Sequence, residues 1–168
     1  RLAEQLMAVA CTRPHAQGKV YLPAEAVDEK IIDGQMLAGR LKKLSRESEI
    51  AVPTEPIITD AKNSCWTHLY GLIRFGQLFN TRQLISLISF AWAIRELAER
   101  PTSHLENERR RAIITMLGVC VSKLSDFSSS LCTFNYTGGR GVKNTFGRQA
   151  LPMVWDYTEA NPLSGSSG

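Results

Sequence analysis

The sequence predicts a mainly α protein, an antiparallel helical bundle with a few short strands. Three observations lead there. Two apolar runs, Leu84 to Ile94 and Ala112 to Val121, each follow a helix-start signal, and only a few residues join the two helices they belong to. Further apolar residues recur at helical spacing between Ile31 and Leu44. Strand-like stretches are short and sit beside Gly or Pro. Of 168 residues, 43% are hydrophobic and 21% charged, which supports a folded core and excludes a disordered or collagen-like chain. The length suits one domain, or one large insertion in a bigger protein.

Three stretches follow one another within that single domain. The first, 1–60, is a helical and extended lead-in. Leu2, Leu6, Val9 and Ala10 share a helix face over residues 1–12, and Pro14 to Gly18 ends that helix. Lys19-Val20-Tyr21-Leu22 is extended. A helix is expected from Ala24 to Ser48, with Ile31, Ile32, Met36, Leu37, Leu41 and Leu44 on one face and Gly34 and Gly39 as weak points. Pro53 and Pro56 make 50–60 an extended connector.

The second stretch, 61–130, is the helical pair. Asn80 and Gln83 have the spacing of a capping box, and Phe79 and Leu84 that of a hydrophobic staple. The helix then runs to Glu99, where Pro101 closes it. It is apolar on most sides, the pattern of a helix buried between others. Ser103 and Glu106 repeat the box and start a helix that runs to Leu124. The short link makes the pair antiparallel. In the third stretch, 131–168, Leu131 to Tyr136 reads as a strand and Thr137 to Gly141 as a glycine-rich turn. Helical turns are expected over Lys143 to Ala150 and Met153 to Glu159.

Bulk features narrow the function classes. A net charge of +4 permits a polyanionic partner without requiring one. Four cysteines (Cys11, Cys65, Cys120, Cys132), none in a C-x-x-C pair, fit reduced thiols in the cytoplasm better than a disulfide framework. Each apolar run is about ten residues, half the roughly 20 that cross a bilayer, so both read as buried core helices. No signal peptide is visible. Arg1 at the start and the Ser/Gly tail at the end suggest a piece of a longer chain.

Several patterns invite chemistry. Gly138-Gly139-Arg140-Gly141-Val142-Lys143 resembles a phosphate loop. However, Asn144 follows Lys143 where a P-loop needs Ser or Thr, and no third glycine completes a dinucleotide fingerprint. The loop is either an ordinary surface turn or a basic turn placing Arg140, Lys143 and Arg148 near nucleic-acid phosphates. Cys11 with His15 and Cys65 with His68 hold the four donors of a tetrahedral zinc site, loosely spaced; the alternative is buried thiols and ordinary histidines. Asp156 and Glu159 are three apart without a partner pattern for acid–base work. The three histidines sit near no nucleophile motif. Asn161-Pro162-Leu163-Ser164 lacks the second proline and the aromatic of the D/N-P-P-Y/F/W motif that amino-methylating DNA enzymes stack against a flipped base.

Four phrases occur together in order: Tyr70-Gly71-Leu72; Leu78-Phe79-Asn80-Thr81-Arg82-Gln83-Leu84; Thr145-Phe146-Gly147-Arg148-Gln149-Ala150; and Trp155-Asp156-Tyr157-Thr158-Glu159-Ala160-Asn161-Pro162. In this order they resemble the central portion of adenine-specific DNA methylases that carry a zinc-ribbon-like element. The resemblance covers roughly Lys19 to Gly168. It implies a parent that transfers methyl from S-adenosylmethionine to the adenine amino group in DNA. The family's cofactor glycine motif precedes this portion and its Asp-Pro-Pro-Tyr motif follows it. Neither is in this sequence, nor are the zinc-ribbon cysteine pairs. The chain is then expected to be an insertion in a Rossmann-like methyltransferase. It would serve target recognition or structural support without catalysing or holding the cofactor, with DNA and the flanking methyltransferase domain as partners. On that reading Arg82 contacts a phosphate or a domain interface, and Arg140, Lys143 and Arg148 contact DNA. Gln83 is taken up by capping, and Trp155 and Tyr157 stack on a base or pack in the core. The alternative is a non-enzymatic helical scaffold that binds only protein.

Overall fold

The computed structural model describes residues 4–12, 18–27, 33–58, 66–100, 107–135, 141–148 and 150–163. Among these it builds a hairpin of β1 (Ala8–Thr12) and β2 (Lys19–Pro23) and three helices: α1 (Gly34–Ser48), α2 (Thr81–Glu99) and α3 (Asn107–Asp126). Short 3-10 turns span Ala24–Ala26, Trp66–Tyr70 and Phe75–Leu78. About half of the described residues are helical, as the patterning predicts.

The starts of α1 and α2 each have a local cause. At α1 the Asp33 carboxylate accepts from the amides of Gln35 (2.9 Å) and Met36 (3.1 Å). At α2 the capping box is complete: Asn80 Oδ1 accepts from the Gln83 amide and Gln83 Oε1 from the Asn80 amide, both at 2.9 Å. The box expected at Ser103 and Glu106 lies outside the described residues. α2 packs against both α1 and α3. Arg110, in the first turn of α3, donates to the carbonyls of Leu97 (3.4 Å), Ala98 and Arg100 at the end of α2. Ser130, just past α3, donates through its amide (2.7 Å) and its hydroxyl (2.8 Å) to the Leu78 carbonyl just ahead of α2. Ties at both ends make the pair antiparallel.

Several expectations are corrected. Residues 8–12 form a strand, not the end of a helix, paired antiparallel with β2 from Ala8↔Pro23 to Thr12↔Lys19. Isolated helices of about a dozen residues are marginal, and β-branched Val9 and Thr12 suit a ladder better. The single helix over Ala24–Ser48 is replaced by the short turn at Ala24–Ala26, extended backbone at Val27 and α1 from Gly34; Ile31 and Ile32 lie outside the described residues. The strand over Leu131–Tyr136 shrinks to one antiparallel bridge, Phe134↔Val142. No helix forms over the described parts of 143–150 or over 153–159. Their amides go to distant carbonyls instead: Lys143 to Thr133, Thr145 to Asp126 and Thr158 to Cys132, at 2.7–2.8 Å.

The core is small and gathers at the start of α2. Ile57, Leu78, Phe79, Leu84, Leu131 and Leu151 form it, flanked by Leu41, Val52, Leu72, Leu87 and Val154. Ile57 comes from the connector over 50–58, which is irregular as expected and pairs by Pro56↔Arg74 with the segment ahead of α2. There the Gly76 amide donates to the Pro53 carbonyl at 3.2 Å, and a Cβ at Gly76 would come within 2.4 Å of that oxygen. The expectation that both apolar runs are buried is corrected too. α2 buries Gln83, Leu84 and Ile88 alone, and α3 buries no described residue. No helix among the described residues is long and apolar enough to cross a membrane.

Candidate nucleic-acid interface

Two groups of residues far apart in sequence meet at the start of α2. The cap residue Asn80 turns its Nδ2 to Tyr157 Oη (2.9 Å) and Glu159 Oε2 (2.7 Å). Arg82, in the first turn of the helix, holds Glu159 with both forks of its guanidinium, Nε to Oε1 at 3.1 Å and Nη2 to Oε2 at 2.8 Å. That hydrogen bond is the first cause of a guanidinium pKa above its ordinary value, against the opposing effect of burial. Burial pushes the Tyr157 phenol up, and the Asn80 amide pulls it partly back. Arg82 therefore braces the C-terminal segment. Gln83 is taken up by capping, as expected.

A second group sits past the end of α3. Thr145 is buried; its amide (2.7 Å) and hydroxyl (2.8 Å) both donate to the Asp126 carbonyl, and Ser129 Oγ lies 2.7 Å from its hydroxyl. The Phe146 amide donates to Asp126 Oδ1 at 2.8 Å. The carboxylate and last carbonyl turn of α3 thus pin residues 141–148 as a fixed loop. Thr145 apart, it is largely open: Lys143 and Arg148 are exposed, with no side-chain partner among the described residues, and Phe146 between them is 45% exposed. Arg140 lies outside the described residues.

The cations divide by what they touch. Arg82 holds Glu159, Arg95 donates to the Ser48 carbonyl, and Arg110 caps the end of α2. These brace the fold. Lys143 and Arg148 do not, and a basic pair around an open aromatic ring is what a phosphate-and-base surface needs.

The aromatic pair Trp155 and Tyr157 separates. Tyr157 is half-buried in the Asn80 network, while Trp155 is 70% exposed, its ring meeting Tyr70 edge-to-face with centroids 5.4 Å apart. The sequence offers Glu159 only as half of a carboxylate pair with Asp156, and it points to neither Phe146 nor Tyr70 as a site residue. For Phe146 the signal was present, an aromatic between two cations. For Tyr70 and Glu159 no local spacing points to their partners.

Of the zinc candidates, Cys11 lies on β1 and His68 in the turn Trp66–Tyr70, while His15 and Cys65 lie outside the described residues. Among the described residues no group of three or more His, Cys, Asp or Glu side chains could hold a metal. A cavity of about 520 Å³ between α1 and the start of α2 is lined by Leu41, Val52, Ala38 and Ala51, with Lys42 and Arg46 at its edge. Among the described residues its lining holds no carboxylate for ribose hydroxyls. No family model, no curated protein and no solved structure matches the chain.

Proposed function

We propose that this chain is the target-recognition or structural segment of an S-adenosylmethionine-dependent, adenine-specific DNA methyltransferase, contacting DNA without catalysing. The observation that carries the reading is the pinned loop over 141–148. It displays Lys143 and Arg148 on either side of Phe146 in the chain, whereas Arg82, Arg95 and Arg110 are engaged internally. Two of the phrases that carry the family resemblance also lock together, through Asn80 and Arg82 on one side and Tyr157 and Glu159 on the other. Their shared site gives both phrases a common structural reason. Cofactor binding and methyl transfer belong, on this reading, to the flanking methyltransferase domain.

Fluorescence anisotropy with a labelled duplex across a salt series tests it. Two neutralised phosphates contribute about 1.8 to the log–log salt slope, so Lys143→Ala with Arg148→Ala should flatten the slope by that amount. Arg82→Ala should leave the slope unchanged, because its guanidinium faces Glu159. A slope unmoved by the double variant removes the loop from the interface.

A second reading, a scaffold that binds only protein, draws on α3. Ile113, Met116 and Val119 lie exposed on it. Absence of binding to both duplex and single-stranded DNA at low salt would select that reading.

A further inference from the structure

We infer that the exposed face of Trp155, set against Tyr70 beside the basic loop, is a stacking platform for an unpaired base, so that the protein prefers single-stranded or locally opened DNA. The inference rests on the DNA-contact reading above and specifies the form of the nucleic acid.

Four segments lie side by side. The Trp66 amide donates to the Leu151 carbonyl at 3.1 Å, which lays the turn Trp66–Tyr70 along the C-terminal segment. On that segment's other side the Thr158 amide donates to the Cys132 carbonyl at 2.8 Å. The next carbonyl, Thr133, accepts from Lys143 at 2.7 Å. Lys143 and Thr158 thus attach to neighbouring peptide groups of one ribbon, so their backbones lie within about 10 Å of each other. Trp155 is three residues from Thr158. The segment carrying Trp155 and the basic loop are therefore tied to the same ribbon at Cys132 and Thr133.

The indole's orientation suits stacking. Its ring plane stands at 83° to that of Tyr70, so the contact is edge-to-face and the indole is held on one side while 70% of the residue stays open. The Tyr70 contact braces the ring while most of its surface stays open. Bases in a duplex already stack on each other and cannot cover it, whereas an unpaired base can. Phe146, 45% exposed between Lys143 and Arg148, offers a second ring where the phosphates would run.

Three probes decide it by anisotropy: an oligothymidylate of about twelve nucleotides, an abasic strand with the same number of phosphates, and a blunt duplex. The abasic strand keeps the charge and removes the bases. The wild-type chain should bind oligothymidylate roughly tenfold or more tightly than the abasic strand, the scale of one base stacked on an aromatic ring. Trp155→Ala should erase that preference, and Trp155→Phe should retain part of it, which separates stacking from any loss of fold. Lys143→Ala should weaken binding to both single strands equally. Equal wild-type affinity for the two strands, or Trp155→Ala binding oligothymidylate like wild type, overturns the platform while leaving the DNA contact in place. Failure to bind any of the three probes overturns the DNA reading itself, and the platform with it.

Discussion

Asn80 makes four hydrogen bonds with three residues at once. Its Oδ1 and its own amide complete the capping box with Gln83, and its Nδ2 donates to Tyr157 and Glu159. An ordinary N-cap tolerates Asp in place of Asn, since only the acceptor oxygen matters there. Here the second oxygen of an aspartate would face the Glu159 carboxylate. Asn80→Asp should therefore cost about 2 kcal/mol at neutral pH, the penalty of a lost buried donor with like charges opposed. Adding Glu159→Gln should recover much of it. Urea denaturation of the two single variants and the double variant reads the coupling; a neutral Asn80→Asp would reduce the site to a plain cap. The capping half of this arrangement was readable in the sequence because its partners are three residues apart. The Tyr157 and Glu159 half was not, because those partners are 77 and 79 residues away and no local pattern encodes the meeting.

Elements that end on their own chemistry were readable; those that end on tertiary bonds were not. The start of α2 announced itself through Asn80 and Gln83, and its length through a continuous apolar pattern closed by Pro101. The segments at 143–150 and 153–159 carry helical composition, yet the amides of Lys143, Thr145 and Thr158 are drawn to Thr133, Asp126 and Cys132. The exit of α1 shows a further mismatch between residue and backbone. Glu49 caps that helix in the left-handed region, φ 55° and ψ 21°, with its side chain exposed. A non-glycine residue there costs about 1–2 kcal/mol, and glycine avoids it at an unfolded-state entropy cost of roughly half that. Glu49→Gly should thus stabilise the chain by about 0.5–1 kcal/mol. The shift should be seen as a higher urea midpoint at unchanged slope. A lower midpoint would mean that the Glu49 side chain supports the turn in a way its exposure does not suggest.

At the scale of the whole molecule, stability hangs on one cluster. Among the described residues eight apolar side chains are buried, while sixteen large ones lie exposed, so no second core can compensate for damage to the first. Leu78 is its centre, fully buried, and its carbonyl accepts both the amide and the hydroxyl of Ser130. The cluster draws Ile57 from the connector, Leu84 from α2, Leu131 from beyond α3 and Leu151 from the C-terminal segment. A cavity at Leu78 therefore loosens four segments together. Leu78→Ala should cost about 3–5 kcal/mol, a large share of the 5–15 kcal/mol that holds a typical domain folded. Helix content followed by circular dichroism and tryptophan emission should be lost in the same transition, because Trp66 and Trp155 ride on segments anchored to that cluster. Tryptophan emission that changes at a lower denaturant concentration than helix content would show that the C-terminal segment unfolds separately from the helices. In that case the brace of Arg82 on Glu159, rather than the shared core, would be what fixes the aromatic surface in place.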